Sequence, residues 1–433
     1  MTKKFGFWTL TFLVIANMIG AGVFTTSGFS LAALGSANVV LAAWLLGGLI
    51  ALAGAVSYGM LIQRMPESGG EYTFLKRAAH PWLGFIAGWV SIITGFSGAI
   101  ALAALAMEGY LLPDESRPNW LPSGTIAIAA IITTGLFHGV RAGLGATAQN
   151  LVVLLKLGLL LILLVFASTK LGSDTWQGWP ATPTALQGWP LATEFASSLM
   201  WISLSYLGFN AAVYVAGEVS DAERIIPRAL ITGTVFVTLL YLLLNAIFVY
   251  APPADKIMGV KDVAAVSAFF LGGSHLEIFI RATIAISLLT SVFSMMMAAP
   301  RVYAKMADDG LLPRILSFSG DSPQGAIITQ AILAVAIVLM TDLRGLLSYL
   351  GVTLSLCAAC SVGCLFLPSV RQRNLLHPVH AIPAFYIVAT LVSAGLMAYQ
   401  YPQHLLGTLL TVLIGSVAYI ATRLMTSSSS PSK

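Results

Sequence analysis

The chain has 433 residues, of which 58% are hydrophobic and only 9% charged, with a mean hydropathy of +0.88. A soluble domain is usually about a quarter charged, so this balance excludes an ordinary water-soluble fold. The net charge of +5 does not mark a nucleic-acid binder, because in a chain this apolar the positions of the charges matter more than their sum.

Apolar segments long enough to cross a bilayer recur from end to end, and the class expected is an all-α polytopic membrane protein. Twelve spans are predicted, near residues 7–33, 38–63, 82–112, 122–139, 147–169, 193–217, 228–251, 275–304, 325–341, 345–368, 382–399 and 403–423. Thr2-Lys3-Lys4 leads into the first without a small-residue cleavage site, so no cleavable leader is expected. Basic loop residues, among them Lys3, Lys4, Arg64, Lys76, Arg77, Arg301, Lys305 and Arg314, gather on the side of the N-terminus. Arg117, Lys170, Lys256, Lys261 and Arg344 fall opposite. This asymmetry predicts both termini in the cytoplasm. The tail, residues 427–433, is expected to be disordered.

The first span is interrupted at its centre, which reads Met18-Ile19-Gly20-Ala21-Gly22-Val23-Phe24. Each glycine there costs about 1 kcal/mol against alanine in a helix. A break at bilayer depth is tolerated only where it lines a cavity inside the protein. The N–H groups after it would form a helix N-terminus, which attracts a carboxylate. The alternative is a plain small-residue packing motif. The sixth span repeats the anomaly in Ser203-Leu204-Ser205-Tyr206-Leu207-Gly208-Phe209-Asn210. Its first half would end in free C=O groups, which suit an ammonium. Interrupted helices in corresponding positions of two halves point to a transporter built from inverted repeats, and this pair suits the backbone of an amino acid.

Two deep charges stand out. Lys156 lies in Leu154-Leu155-Lys156-Leu157-Gly158, near mid-depth of the fifth span. An intramembrane lysine costs ~2.5–3.5 kcal/mol at a helix centre, so it either serves a function or snorkels to an interface. Glu108, toward the outer end of the third span, could bind a cationic substrate or a proton, or cap a neighbouring helix. Cys357, Cys360 and Cys364 share one helix face without a nearby His or carboxylate, so no metal site is expected. His80, His138, His275, His377, His380 and His404 form no metal pair at useful spacing.

Four stretches carry a family resemblance. Ile19-Gly20-Ala21-Gly22-Val23-Phe24 opens it. Met65-Pro66-Glu67-Ser68-Gly69-Gly70-Glu71-Tyr72 follows, with Gly84-Phe85-Ile86-Ala87-Gly88-Trp89. Next come Glu218 and Asp221-Ala222-Glu223-Arg224-Ile225-Ile226-Pro227-Arg228-Ala229. The last runs from Pro300-Arg301 through Met306-Ala307-Asp308-Asp309-Gly310 to Pro313. In order across three quarters of the chain, they resemble the amino acid–polyamine–organocation transporter superfamily. The resemblance implies a LeuT-like fold of five plus five inverted repeats with interrupted helices one and six, and two extra helices. The repeats would cover 1–169 and 170–368, with helices eleven and twelve in 369–426. It further implies that Ile19, Gly20, Ala21, Gly22 and Val23 meet a substrate carboxylate. Leu204, Ser205, Leu207 and Gly208 would lie at the ammonium, with Tyr206 or Phe209 as gate. In sodium-independent relatives a helix-five lysine resembles a built-in cation. Lys156 would then bond carbonyls near Gly20 and a hydroxyl among Ser287, Thr290, Ser291 and Ser294, of which Ser287 and Ser291 share a face.

The loops have physical readings of their own. Pro66, Gly69 and Gly70 make a turn that ends a helix, and Glu67, Glu71, Lys76 and Arg77 could latch an inner gate by pairing with other charges. Pro227 is expected at the start of the seventh helix, where its missing N–H costs little. The pocket walls, Ser97, Ile100 and Ala101 on the third span with Phe293 and Met295-Met296-Met297 on the eighth, carry no charge. A charged substrate side chain would be left unpaired there.

The expectation is a secondary active transporter of neutral, small or aliphatic L-amino acids across the plasma membrane. It would work by alternating access, independent of sodium, by proton coupling or exchange. The alternatives are a cationic amino acid or polyamine transporter or antiporter and, in another class, a transporter-like amino acid sensor. No nucleophile–base pair or metal set lies within the spans, so an enzyme is not expected. Nor is a cofactor, a nucleic acid or an obligatory protein partner; the expected partners are the amino acid, the bilayer and protons.

Overall fold

The computed structural model describes residues 5–140, 146–171, 176, 186–308, 310–317, 323–371 and 377–428. Asp309 and residues 429–433 lie outside them, with Lys3 and Lys4, as do the side chains of His138, Ser294, Met297, Arg301, Lys305 and His404. Among the described residues the chain is helical, and its one β-bridge joins Phe5 to Val219. The helices are α1 (Phe7–Met18), α2 (Ala21–Leu34), α3 (Ala37–Ile62), α4 (Gly70–Ala78), α5 (Pro81–Val90), α6 (Ala99–Leu111), α7 (Thr125–Val140) and α8 (Ala146–Thr169). There follow α9 (Gly188–Tyr206), α10 (Ala222–Tyr250), α11 (Ala254–Ile257), α12 (Val263–Asp308), α13 (Gln324–Met340), α14 (Leu343–Gly363), α15 (Ala381–Gln400) and α16 (Pro402–Ser428).

Eight stretches of these are long and apolar enough to cross a bilayer, and α1 and α2 make a ninth as one bent span. Three shorter apolar helices, Thr125–Phe137, Leu154–Thr169 and Gln324–Met340, accompany them. The apolar composition serves two surfaces. On α16, Leu406, Leu409, Leu410, Leu413, Ile414 and Val417 face outward in a helical stripe, which suits lipid. Inside, α3 runs through the core, and its glycines admit neighbours: Gly54 lies under the rings of Phe209 and Tyr386, Gly59 against Pro227.

Several local features depart from the expectations. The loop after α3 contains the amphipathic helix α4, entered through Gly69 and Gly70, both at positive φ (119° and 56°). The third span is α-helical only at its ends, since Ser91–Gly98 is a π-helix in which Ser97 Oγ donates to the Ile92 carbonyl five residues back. Pro227 lies inside α10, which already begins at Ala222, so one internal hydrogen bond is forgone there. α12 is kinked at Gly272 and Gly273, close to where the eighth span was expected to begin.

Candidate functional site

Two helix breaks meet at the centre. α1 and α2 are bent by 41°, with Ile19 (ψ 88°) and Gly20 (φ −124°, ψ −159°) in non-helical backbone between them. α9 stops at Tyr206; Leu207 is extended (ψ 145°) and Gly208 takes φ +104°. A short 3-10 helix, Ala211–Glu218, follows. The glycines let the broken segments touch. A Cβ at Gly208 would lie 2.7 Å from the carbonyl carbon and oxygen of Asn17, and one at Gly22 2.9 Å from Ser205 Cα. Gly20 differs: it is half-buried, and nothing stands closer than 4.0 Å to where its side chain would be.

Breaking two helices frees backbone groups that need partners. Tyr241 Oη, from α10, donates to the Met18 carbonyl at 2.6 Å and lies 3.1 Å from that of Ser205. The Leu207 N–H covers the carbonyls of Ser203 and Leu204 at 3.0 and 3.1 Å. Lys156 Nζ, buried on the inner face of α8, donates to the Ile19 carbonyl at 3.0 Å and lies 3.5 Å from Ser291 Oγ. The N–H groups of Gly20, Ala21, Gly22 and Val23 have no acceptor among the described residues, and the Leu207 carbonyl has no donor among them. One break thus keeps spare donors and the other a spare acceptor.

Comparison with known proteins fixes what kind of chain this is. A family profile described as amino acid permease matches residues 5–424. The chain belongs to the amino acid permease family. The permease is similar to the serine/threonine exchanger SteT of Bacillus subtilis, 28% identical over 72% of this chain and 70% of that protein. It is 24% identical to the high-affinity methionine permease of Saccharomyces cerevisiae over 74% of this chain and 57% of that protein. It is 26% identical to the human cystine/glutamate transporter over 90% of this chain and 79% of that protein.

The remaining residues singled out in the permease fall into two groups. Ser291 is within reach of Lys156, whereas Ser287 Oγ is buried without a hydrogen-bond partner among the described residues. Leu204 and Leu207 are half-buried at the α9 break. Tyr206 and Phe209 point away from it into the core. Tyr206 donates to the Trp44 carbonyl at 3.1 Å, and the Phe209 ring packs edge-on against Tyr58 with centroids 5.4 Å apart. Ser97 and Ile100 are fully buried, and Ser97 Oγ lies 3.3 Å from Tyr303 Oη. Tyr241 was not among the expected site residues; its signal is a tyrosine within the leucine run Leu239-Leu240-Tyr241-Leu242-Leu243-Leu244, which does not say where the hydroxyl points.

Glu108 caps a helix. Its two oxygens accept the N–H groups of Gly124 and Ala127 at 2.7 and 2.8 Å, at the start of α7, and Arg117 Nη2 pairs with it at 2.8 Å. Acidic groups stabilise helix N-termini in this way. Its carboxylate is therefore engaged within the protein. Glu108→Gln is expected to lower thermal stability, by ~3 kcal/mol for a nearly buried pair, without changing substrate preference. A changed preference with unchanged melting would reverse that assignment.

Proposed function

We propose that this permease is a secondary active transporter of neutral, small or aliphatic L-amino acids, working by alternating access across the plasma membrane without sodium. The observation that carries the reading is the set of leftover backbone groups at the two breaks. In this reading Gly20, Ala21, Gly22 and Val23 take the substrate carboxylate through N–H groups at the start of α2. The Leu207 carbonyl takes the ammonium, helped by the second lone pairs at Leu204 and Ser205. The open space beside Gly20 leaves room for the carboxylate to approach. A neutral side chain is favoured because the charges near the breaks are engaged: Lys156 with Ile19, and Glu108 with Arg117 and α7. Two of the relatives named above carry neutral amino acids in their names, and the third carries cystine and glutamate.

Lys156 is a fixed cation in this reading, holding the first break from the side of α8. The bent pair and the three shorter apolar helices join the eight long ones as twelve spans, with both termini in the cytoplasm. Residues 1–169 and 170–368 form the two inverted repeats.

The test is uptake of labelled alanine, leucine and methionine into proteoliposomes holding the unlabelled amino acid. Exchange is expected in sodium-free buffer, without competition by arginine. Transport of none of the three, with binding of arginine or a polyamine, would sink the neutral-substrate reading. Gly20→Ala refines the site. The methyl meets open space, so the melting temperature should hold, but it crowds the carboxylate, and half-saturation should rise about 10-fold, or ~1.4 kcal/mol. An unchanged half-saturation would place the carboxylate elsewhere.

A further inference from the structure

Glu71 lies in the first turn of α4 and is buried, 6% exposed. Its carboxylate accepts from Tyr58 Oη on α3 at 2.8 Å. It also accepts from Asn210 Nδ2 at 2.5 Å and Tyr214 Oη at 2.6 Å, both in the segment that follows the α9 break. Among the described residues no lysine or arginine pairs with it. Arg77 instead holds Glu67 at the surface at 2.6 Å, and Lys76 Nζ donates to Tyr72 Oη at 2.9 Å. The other titratable groups facing Glu71 are Tyr386 of α15 and Cys357 of α14. Every described group around this carboxylate is therefore neutral.

The backbone is shaped to make the contact. Gly70 has no Cβ, and one there would lie 2.9 Å from the Tyr214 ring carbon Cδ1. Ser68 Oγ accepts the Gly217 N–H at 2.8 Å. The loop before α4 and its first turn thus grip the 3-10 helix that continues the broken sixth span. That helix leads back through Phe209 to Gly208 and Leu207, where the backbone groups of the break lie.

A buried carboxylate without a cation is stable as the anion only while its donors point at it. A proton changes the count. The acid must donate its own O–H, and the oxygens beside it belong to tyrosines that already donate to it. One contact must then turn away, and the grip on the 3-10 helix loosens. We propose that Glu71 is a proton-binding site of the transport cycle, latching the segment beyond the α9 break when ionised and releasing it when protonated. The proposal rests on the transporter reading and assigns the coupled ion to Glu71 rather than to Lys156.

The test measures two activities of purified protein in the same proteoliposomes. One is counterflow against internal unlabelled substrate without a pH gradient, and the other is accumulation driven by an acidic exterior. Wild type is expected to do both. In Glu71→Gln the ratio of gradient-driven accumulation to counterflow should fall at least 10-fold. A variant that keeps the wild-type ratio overturns the proposal. So does a wild type with counterflow but no response to the gradient, an outcome that leaves the transporter reading standing. A wild type without counterflow removes the transporter reading itself. Tyr214→Phe provides a second route if the glutamine variant does not fold. With one of the three donors to the carboxylate lost, the ionised latch holds the 3-10 helix less firmly, and the same ratio of gradient-driven accumulation to counterflow should fall. A Tyr214→Phe protein with the wild-type ratio overturns the proposal.

Discussion

Lys156→Ala is expected to abolish transport while leaving a folded protein, with initial uptake about 100-fold or more below wild type. α8 turns Leu154, Leu155, Leu161, Ile162 and Val165 outward and sends its one charge inward to the Ile19 carbonyl, the residue before Gly20. Removing the ammonium leaves that carbonyl without its donor, a loss of ~1–3 kcal/mol. It also removes a charge whose own burial was unfavourable, so the net change in stability is small. Geometry suffers more. The bend between α1 and α2 aims the N–H groups of Gly20 to Val23, and a displacement of ~1 Å at a reacting or binding centre can cost about 100-fold. Uptake and thermal melting measured on one preparation separate the cases. Full uptake in the mutant would remove Lys156 from the mechanism, and parallel loss of uptake and melting temperature would make it simply a structural tie.

Gly208→Ala is expected to destabilise the protein by roughly 2–6 kcal/mol, adding ~1–3 for backbone strain to ~1–3 for overpacking. Gly208 holds φ +104°, and the added methyl would meet the Asn17 carbonyl at 2.7 Å. Both obstacles are backbone, which cannot rotate away as a side chain does. Transport should be lost with the fold. The contrast with Gly20→Ala is the useful part, since a methyl at Gly20 meets no atom nearer than 4.0 Å. A Gly208→Ala protein that melts like wild type would mean that the two breaks do not pack against each other.

Both breaks were legible as paired glycine anomalies, because lipid leaves a helix no cheap way to be interrupted. Lys156 was legible for the same reason, and one of its four candidate hydroxyls, Ser291, lies within reach. What could not be read is direction. The sixth span scatters small hydroxyls among apolar residues, and four of them, Thr193, Ser197, Ser198 and Ser205, are themselves buried, so periodicity does not say that Tyr206 and Phe209 turn to the core while Leu204 stays half-buried. Tyr241 reaches a carbonyl 223 residues away, and the donors of Glu71 on the far side of the α9 break lie 139 and 143 residues from it. The charges Glu67, Glu71, Lys76 and Arg77 read as one latch in the loop, but Glu71 turns inward to neutral donors while the other three stay at the surface. The π-helix at Ser91–Gly98 has no local signal in the sequence.

The partners of Lys156 are unevenly spaced along the chain, and synthesis proceeds from the N-terminus. The Ile19 carbonyl is translated 137 residues before the lysine, and Ser291 135 residues after it. When α8 is made, with a charge that lipid disfavours by ~2.5–3.5 kcal/mol, its main acceptor has already been translated. The kinked first span is therefore a receptor for a helix not yet made. The bond from Lys156 to Ile19 thus needs nothing from the second half of the chain, whereas the contact with Ser291 waits for it.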